Sequence, residues 1–497
     1  MTQRASGILV HPTSFPGKFG IGDLGSGAYR FMDFLARAKQ SLWQILPIVP
    51  TSYGDSPYSG LSAFAGNPLL ISVEILEKEG YIAAKSLEDT RDFPEDYVDY
   101  PRARAWKMEL LEEAFANFSK HAKPQEKQDF ESFCKLHQEW LEDFACYVPL
   151  KAEHHDQPWN AWTTALSLRE PAALNKWKTK NEAKIEFQKF LQYQFFRQWK
   201  NLKTYANERG IRIIGDIPIF VAYDSADVWA KSNLFTLDSK GNSTVVAGVP
   251  PDYFSSTGQR WGNPLYRWDV MEKNGYQWWK DRIKCLLDLV DIIRIDHFRG
   301  FEAFWEIPAT EPTAMNGKWV KGPGIRLFDA LKNSMGKLPI IAEDLGVITP
   351  EVEALRDESG FPGMKILHFA FFNGKNNPYL PFQYDKNTVV YTGTHDNNTT
   401  RGWFREIGDE DRQRLNQYAG YEINEYNVCE ALIRMASAST SLTAIIPLQD
   451  VMNLGEQARM NYPGKAEGNW KWRYCDDMLT DSLADWLAHI TDIYQRG

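Results

Sequence analysis

The sequence predicts an α/β protein built as a (β/α)8 TIM barrel, because short apolar runs alternate with amphipathic helical patterns along its 497 residues. Eight of these runs have the length of strands, and eight is the number at which a parallel sheet closes into a filled barrel. An open, doubly wound sheet is the alternative. Its dinucleotide-binding form is disfavoured, because neither a G-x-G-x-x-G turn nor a Walker-type phosphate loop follows any of the runs.

The predicted elements follow one another as helix and strand. Thr349 and Pro350 are typical of a helix start, and Gly210 and Gly360 are typical of helix ends. The predicted helices carry the apolar stripes Phe31, Phe34, Leu35 and Ala38; Phe195, Trp199, Leu202 and Ala206; Trp279, Ile283, Leu286 and Val290; and the segments 328–336 and 350–360. The strand candidates are 42–49, 69–73, 211–221, 292–296, 340–343, 365–371, 388–394 and 443–448.

Two stretches interrupt this alternation. Residues 80–190 are rich in helical patterns, and residues 223–275 are rich in Gly, Pro, Asp and aromatic residues. We therefore expect residues 1–497 to form a single catalytic barrel domain, with 80–190 as a mainly helical insertion and 223–275 as a loop-rich insertion over the active-site face.

Composition and charge favour a compact protein with a neutral substrate. The net charge of -9 and the pI near 5.6, without a clustered basic face, argue against nucleic acid and membrane as partners. Pro12 and Pro16 interrupt the N-terminal segment before a signal-peptide core is complete, so a cytoplasmic location is expected. The five cysteines have no metal-binding spacing and are expected to be buried thiols, with disulfides or zinc as the alternatives.

Aromatic residues are unusually frequent, with 18 Trp, 22 Tyr and 28 Phe, and many lie in Gly- and Pro-rich segments such as 251–269. Rings with an apolar face and a polar edge suit the binding of sugars, although large rings also fill a large core. The content alone does not decide between the two.

Three acidic residues stand where three strand candidates end. Asp296 ends the run 292–296, Glu343 ends 340–343, and Asp396 follows 388–394. The carboxyl ends of the strands form the catalytic face of a barrel. Alternation along the strand places Arg294 on the same face as Asp296, where it can hold a nucleophilic carboxylate ionised. Like charge from the two aspartates would raise the pKa of Glu343, as a general acid requires.

Each acid also has a structural interpretation. Asp296 and Arg294 could form an internal salt bridge, and Glu343 and Asp344 could be an acidic pair that leads a helix. The segment 395–397 could be a polar turn or a metal site. The coincidence of three acids at three strand ends of one barrel favours catalysis.

Linked motifs extend this constellation along the chain. They are TSYGDSPY at 51–58, GDIPIFV at 215–221, GVPPDYF at 248–254, GQRWGNP at 258–264, RIDHFRG at 294–300, AEDLG at 342–346 and GTHDN at 393–397. Together these motifs resemble those of the 4-α-glucanotransferases, glycoside hydrolase family 77, and the similarity spans residues 1 to about 475.

The resemblance implies a retaining enzyme in which Asp296 is the nucleophile, Glu343 is the acid/base and Asp396 stabilises the distorted sugar of the transition state. It implies no cofactor and no metal, and we expect no C-terminal β-sandwich domain. The residues implied in glucan binding are Tyr53, Asp55, Ser56, Tyr58, Asp216, Trp261, Asn263, Arg294, His395 and Asn469.

The activity implied is the transfer of α-1,4-glucan segments between maltooligosaccharides, amylose, or starch and glycogen chains. Hydrolysis of α-glucans and non-catalytic glucan binding are the alternatives. Retention predicts that the carboxyl carbons of Asp296 and Glu343 lie about 5 to 5.5 Å apart.

The segment 248–264 has features of a closing loop. Gly248, Gly258 and Gly262 allow backbone freedom, and Tyr253, Phe254 and Trp261 offer rings to sugar faces. We expect this loop to exclude water and so favour transfer over hydrolysis. A fixed surface loop with inward-facing rings is the alternative.

Overall fold

The computed structural model describes residues 3–88, 92–251, 255–372 and 377–497. These residues form a sheet of eight parallel strands with helices around it and a separate antiparallel sheet of four strands. The strands are β1 Ala5–Leu9, β2 Leu42–Gln44, β3 Arg212–Pro218, β4 Val245–Val249, β5 Gln259–Pro264, β6 Ile292–Asp296, β7 Ala303–Pro308, β8 Lys318–Lys321, β9 Ile340–Ala342, β10 Gly363–Ile366, β11 Thr388–Tyr391 and β12 Thr443–Pro447.

The α-helices in this part of the chain vary widely in length. They are α1 Ser26–Arg37, α2 Val73–Lys78, α3 Ala84–Glu88, α4 Tyr100–His121, α5 Pro124–Leu136, α6 Gln138–Glu153, α7 Thr164–Ser167, α8 Pro171–Lys180, α9 Glu182–Glu208, α10 Ala226–Ala230, α11 Trp268–Lys273, α12 Gln277–Leu289, α13 Ile325–Met335, α14 Pro350–Ser359, α15 Thr400–Glu406, α16 Asp409–Ala419, α17 Val428–Ala438, α18 Leu448–Val451 and α19 Asp481–Ile493.

The eight parallel strands form a barrel in chain order. Around the sheet they run β1, β2, β3, β6, β9, β10, β11 and β12, and β12 pairs with β1. At the seam between β9 and β10, the backbone amide of Ala342 donates to the carbonyl of Pro362 at 2.9 Å. The predicted (β/α)8 fold class is therefore confirmed, and the residues after β12 form helices α18 and α19.

The first barrel strand, β1, was not assigned from the sequence. Its residues ASGIL include small side chains that weaken the apolar pattern. Yet all five residues are buried, and a Cβ added to Gly7 would meet the carbonyl oxygen of Leu42 at 2.3 Å. The small residues thus permit a close approach of β1 to β2.

The strand predicted at 69–73 is wrong. Asn67 caps a 3-10 helix at Pro68–Leu70 by accepting a hydrogen bond from the amide of Leu69 at 3.0 Å, and α2 begins at Val73. Pro68 occupies the first helical position, where its missing N–H costs nothing. This local capping chemistry overrides the apolar run.

The other predicted strands agree with the structure to different degrees. The candidate 365–371 overlaps β10 only as far as Ile366, because a 3-10 helix follows at Leu367–Phe369. Each of the six other candidates contains a barrel strand, and 292–296 matches β6 at both ends. The predicted helical stripes lie in α1, α9 and α12, and the two predicted segments contain most of α13 and all of α14.

Two regions interrupt the barrel repeat. Residues 80–190 contain α3 to α8 and the start of α9, a helix of 27 residues that packs against α5 and α6 and leads into β3. The antiparallel sheet, in the order β5, β4, β7 and β8, takes two strands from within 223–275 and two that follow β6. The sequence analysis did not predict this second sheet.

The N- and C-terminal segments meet beside β1 and β12. The guanidinium of Arg496 donates to the carbonyls of Ala5 at 3.2 Å, Ser441 at 2.9 Å and Ser437 at 2.7 Å. The amide of Ser6 donates to the carbonyl of Arg496 at 3.1 Å. A single buried arginine therefore links β1 to α17 and to the segment just before β12, beside the point where the barrel closes on itself.

In the described ranges, no helix has the length and apolar character needed to cross a membrane. All five cysteines are free thiols. Cys146 and Cys429 are buried as expected, whereas Cys134, Cys285 and Cys475 are only partly buried.

Candidate active site

The three predicted acids lie at carboxyl ends of barrel strands. Asp296 is the last residue of β6, Glu343 directly follows β9, and Asp396 lies in the turn after β11. β6 and β9 are paired neighbours, and the amide of Glu343 donates to the carbonyl of Ile295 at 3.0 Å. The strand register therefore places Glu343 beside Asp296.

Arg294 links two aspartates inside the barrel. It is buried in β6, and its Nη1 donates to Oδ2 of Asp216 at 2.6 Å while its Nη2 lies 3.1 Å from Oδ1 of Asp296. Its Nε donates to the sulfur of Met364 at 3.4 Å. Arg294 and Asp296 point to one side of the strand, as their spacing of two residues predicts.

Backbone amides hold both oxygens of Glu343. The amide of His297 donates to Oε2 at 2.7 Å, and the amide of Leu345 donates to Oε1 at 2.9 Å. The side chain of Asp344 instead points away from that of Glu343. Its carboxylate accepts hydrogen bonds from Arg356 at 2.5 Å and from the amide of Met364 at 2.7 Å. The two consecutive acids thus face different partners, and α14 begins only at Pro350.

Burial governs the ionisation of the acid pair. It raises the pKa of Glu343, with Arg294 and the two amides opposing and Asp344 adding repulsion. It also raises the pKa of Asp296, where Arg294 opposes and the charge of Glu343 adds to the rise. The sequence analysis attributed the raised pKa of Glu343 to like charge from the two aspartates, whereas desolvation is the larger cause.

The two carboxyl groups share one buried site, so the pair favours holding one proton. Arg294 contacts Asp296 directly, at 3.1 Å. Arg294 therefore favours the charged form of Asp296, while burial opposes the charge on both acids.

Tyr58, Asp216 and His395 form a connected group beside Arg294. The hydroxyl of Tyr58 donates to Oδ2 of Asp216 at 2.8 Å and lies 2.9 Å from Nε2 of His395. Because that hydroxyl proton is directed to Asp216, Nε2 of His395 is the donor in the second bond. Burial lowers the pKa of His395, so the ring is neutral at pH 7. The rings of Tyr58 and His395 also stack at 5.3 Å.

Asp396 is held by residues distant in sequence. Its Oδ1 accepts from the amide group of Asn461 at 2.6 Å, its carbonyl accepts from Arg459 at 3.1 Å, and its Oδ2 lies 3.5 Å from Nε2 of His395. The side chain keeps 45% of its surface exposed, so one edge stays free for a ligand. Asn397 closes the turn by accepting from Thr394.

The predicted glucan-binding residues of the 51–58 motif are spread over the rim. Tyr53 is 76% exposed, and Asp55 pairs with Arg104 at 2.8 Å. The hydroxyl of Ser56 accepts from the amide of Tyr58 at 3.2 Å. Within the described part of the chain, Tyr58 is the member of this motif that hydrogen-bonds to the residues around Arg294, namely Asp216 and His395.

Trp261, Asn263 and Asn469 make different contacts. Trp261 is 39% exposed, and its ring stands perpendicular to that of His297 at 4.8 Å. The side chain of Asn263 donates to the carbonyl of Val221 at 2.9 Å. Asn469 is buried and folds its own loop, accepting from the amide of Tyr462 at 3.0 Å and donating to the carbonyl of Lys465 at 2.9 Å. Trp261 therefore presents a free surface beside the acids, whereas both asparagines bind backbone.

Sequence reasoning missed two residues at this site. Asn461 contacts Asp396, and Trp470 packs near the rings of Tyr58 and His395 at 5.9 and 6.0 Å. Neither lies at the end of a barrel strand. Both residues are close in sequence to Asn469, which was selected as a glucan-binding candidate. This proximity was the signal that could have identified them.

No group of three His, Cys, Asp or Glu side chains within the described ranges has an arrangement that could hold a metal ion. The acids at the barrel mouth are instead held by an arginine, an asparagine and backbone amides. The chemistry of this arrangement is that of paired carboxyl groups, one stabilised as an anion and one able to carry a proton.

The chain is similar to known proteins over its full length. A family model described as 4-alpha-glucanotransferase, glycoside hydrolase family 77, matches residues 10–479. The 4-alpha-glucanotransferase of Thermus thermophilus is 52% identical over 99% of both chains, and that of Synechocystis is 51% identical over 100% of this chain and 99% of the relative.

Solved structures agree with these relatives. Amylomaltase from Streptococcus agalactiae in complex with acarbose superposes with a TM-score of 0.96 at 40% identity, covering 100% of both chains. Amylomaltase from Corynebacterium glutamicum has the same fold, with a TM-score of 0.81 at 20% identity over 99% of this chain and 75% of that one. With a barrel that carries its acids at the strand ends, and with a family model that spans most of its length, this chain belongs to the 4-alpha-glucanotransferase family.

Proposed function

We propose that this enzyme transfers α-1,4-glucan segments between maltooligosaccharides or starch and glycogen chains by a retaining double displacement. The observation that carries the proposal is the bond from the amide of His297 to Oε2 of Glu343, at 2.7 Å. Since His297 directly follows Asp296, this bond brings the carboxyl group of Glu343 next to that of Asp296, which Arg294 contacts at 3.1 Å and favours in its charged form.

In the first step, Asp296 attacks the anomeric carbon while Glu343 protonates the oxygen of the departing glucan. The bond between the anomeric carbon and that oxygen breaks, and a covalent bond to an oxygen of Asp296 forms. The ion pair with Arg294 favours the anionic nucleophile, and burial favours the protonated acid.

In the second step, Glu343 acts as a base toward an incoming hydroxyl group. A 4-hydroxyl of another glucan gives transfer, and water gives hydrolysis. The anomeric carbon passes from Asp296 to the new oxygen, and Glu343 takes up the proton again. Two inversions return the original α-configuration.

Asp396 is proposed to stabilise the distorted sugar between these steps. Its free edge can accept hydrogen bonds from two neighbouring hydroxyls, and Asn461 and His395 limit its rotation. Tyr58, Asp216 and the neutral His395 are proposed to bind the same sugar. Tyr53, Asp55, Ser56, Trp261, Asn263 and Asn469 are proposed to contact the glucan farther along the cleft.

The region 223–275 is proposed to cover the cleft, and the segment 248–264 to limit the access of water. Part of this segment is the hairpin of β4 and β5, from which Trp261 reaches the ring of His297. Tyr253 and Phe254 lie outside the described residues. The cytoplasmic location and a role in starch and glycogen metabolism are part of the same proposal.

Incubation of the enzyme with maltotriose as the only substrate tests the proposed reaction. Transfer yields glucose together with a ladder of longer oligomers, resolved by chromatography. Products no longer than maltotriose would identify a hydrolase, and unchanged maltotriose would identify a glucan-binding protein. A ligand-bound structure adds a second test, since carboxyl carbons of Asp296 and Glu343 about 6.5 to 9.5 Å apart would indicate inversion.

A further inference from the structure

His297 adopts an unusual backbone conformation between Asp296 and the 3-10 helix Phe298–Phe301. Its φ of 55° and ψ of 48° lie in the left-handed region. Non-glycine residues rarely occupy this region, because the Cβ crowds the backbone, although His and Asn enter it more readily than most. Such a conformation beside a candidate nucleophile therefore calls for a local cause.

The conformation turns two successive amides toward one residue. The amide of His297 donates to Oε2 of Glu343 at 2.7 Å, and the amide of Phe298 donates to the main-chain carbonyl of Glu343 at 3.2 Å. In an extended strand, successive amides point to opposite sides, so they could not both reach Glu343. The left-handed turn after β6 therefore directs both amides to the same side of the chain. One amide binds the side chain of Glu343 and the other binds its main-chain carbonyl.

The imidazole of His297 is packed between two partners. The ring of Trp261 meets it edge to face at 4.8 Å, and a Cβ added to Gly300 would lie 3.3 Å from its Cδ2. Its Nε2 is buried without a hydrogen-bond partner in the described part of the chain. Burial lowers the pKa of His297 to about 3, so the ring is neutral and acts through its shape.

From this geometry we propose that His297 is a positioning residue: it maintains the left-handed turn, a conformation that histidine and asparagine tolerate, and this turn directs its main-chain amide onto Glu343. The inference rests on the proposed role of Glu343 as the acid/base.

The expected consequence is a change in the pH at which the donor loses its proton. Within the described residues, the charged or titratable groups that act on Glu343 are Arg294, Asp344, Asp296 and Tyr379. None of these four side chains is itself replaced by a substitution at residue 297. The amide of His297 favours the ionised carboxylate, so its displacement raises the pKa of Glu343. The alkaline limb of kcat/KM then moves to higher pH.

The test compares His297→Asn with His297→Val. Both remove the imidazole, but Asn tolerates the left-handed conformation, whereas the β-branched Val strongly disfavours it. We expect the Asn variant to keep the wild-type alkaline limb within about 0.2 pH units and the Val variant to shift it upward by about 0.5 to 1 unit. Both profiles are measured on maltotriose, after circular dichroism confirms the fold. If the Val variant is unfolded, His297→Ala replaces it, with a smaller shift in the same direction.

Equal alkaline limbs in the wild type and the Val variant would overturn the positioning role, as would equal shifts in the Asn and Val variants. A further variant, Glu343→Gln, distinguishes a failure of the positioning role of His297 from a failure of the proposed function of the enzyme. Its activity is measured as the burst of fluoride released from maltosyl fluoride, because this first step needs no protonation of the leaving group, whereas the second step still needs Glu343 as a base. Activity retained on the fluoride but lost on maltotriose identifies Glu343 as the acid, and the His297 comparison then stands by itself. Activity retained on both substrates contradicts the acid/base role and, with it, this inference.

Discussion

Removal of the Asn461 side chain should weaken catalysis without unfolding the barrel. Asn461→Ala deletes the amide group that donates to Oδ1 of Asp396 at 2.6 Å. Asp396 then keeps only the contact of Oδ2 with His395, at 3.5 Å, to limit its rotation. The carboxylate would meet the distorted sugar in its binding orientation for a smaller fraction of the time.

The size of the effect follows from the strength and exposure of this bond. A hydrogen bond to a charged group contributes about 1.5 to 3 kcal/mol. The Asp396 side chain is 45% exposed, so water replaces part of the lost interaction and about half of that value should remain. At 1.4 kcal/mol for each factor of ten, kcat/KM should fall about 3- to 12-fold.

Release of glucose from maltotriose provides the assay, and Asn316→Ala is the matched control. Asn316 donates to Oε2 of Glu311 at 2.7 Å in an exposed pair of the same chemistry. That pair lies in the connection between β7 and β8. The control should change neither kcat/KM nor the melting temperature by a measurable amount.

Two results would contradict this reasoning. A loss of less than twofold in Asn461→Ala would mean that Asp396 keeps its orientation without the amide. An equal loss in Asn316→Ala would mean that the effect does not arise at the site.

Three further changes test other parts of the structure. Glu343→Gln keeps the size of the side chain but removes its transferable proton, so kcat on maltotriose should fall about 10²- to 10⁴-fold, and activity within a few-fold of wild type would exclude the acid/base role. Replacing both Tyr253 and Phe254 with Ala should raise the ratio of hydrolysis to transfer on maltotriose, whereas a lower rate at a constant ratio would indicate binding alone. Burial raises the pKa of Asp227 to about 6. The ionised side chain therefore lowers the free energy of unfolding above that pH, and this effect is absent below the pKa that the group has in the unfolded state. Asp227→Asn should therefore gain about 3 kcal/mol in urea unfolding at pH 8 and only about 0.5 kcal/mol at pH 4, and an equal gain at both values would show that ionisation is not the cause.

The positions of the three acids could be predicted because strand periodicity and chain direction determine them. β-branched runs ending in Asp296 and Glu343 indicate strands, and parallel strands bring their carboxyl ends to one edge. Neither inference needs a distant contact. The position of Arg294 beside Asp296 follows from the same alternation along one strand.

The contacts that hold these acids could not be predicted in the same way. Asn461 reaches Asp396 across 65 residues, and no local pattern distinguishes this asparagine from others in the segment. No local pattern indicates the left-handed turn at His297 either, and the Trp261 ring that packs on this residue comes from another sheet. β1 was missed for a related reason, since its small residues become strand-forming only beside Leu42.

The arginine that links β1 to the segment before β12 has a consequence for how the molecule folds. The ring of strands closes when β1 pairs with β12, for example Ala5 with Thr443, and Arg496 supports this closure by donating to the carbonyl of Ala5, 491 residues away in sequence. Closing so long a loop is entropically costly and slows folding. Until it forms, β1 and β12 are open sheet edges that can pair with other chains. We therefore expect Arg496→Ala to act mainly on refolding yield and aggregation, and to leave turnover by the folded enzyme nearly unchanged.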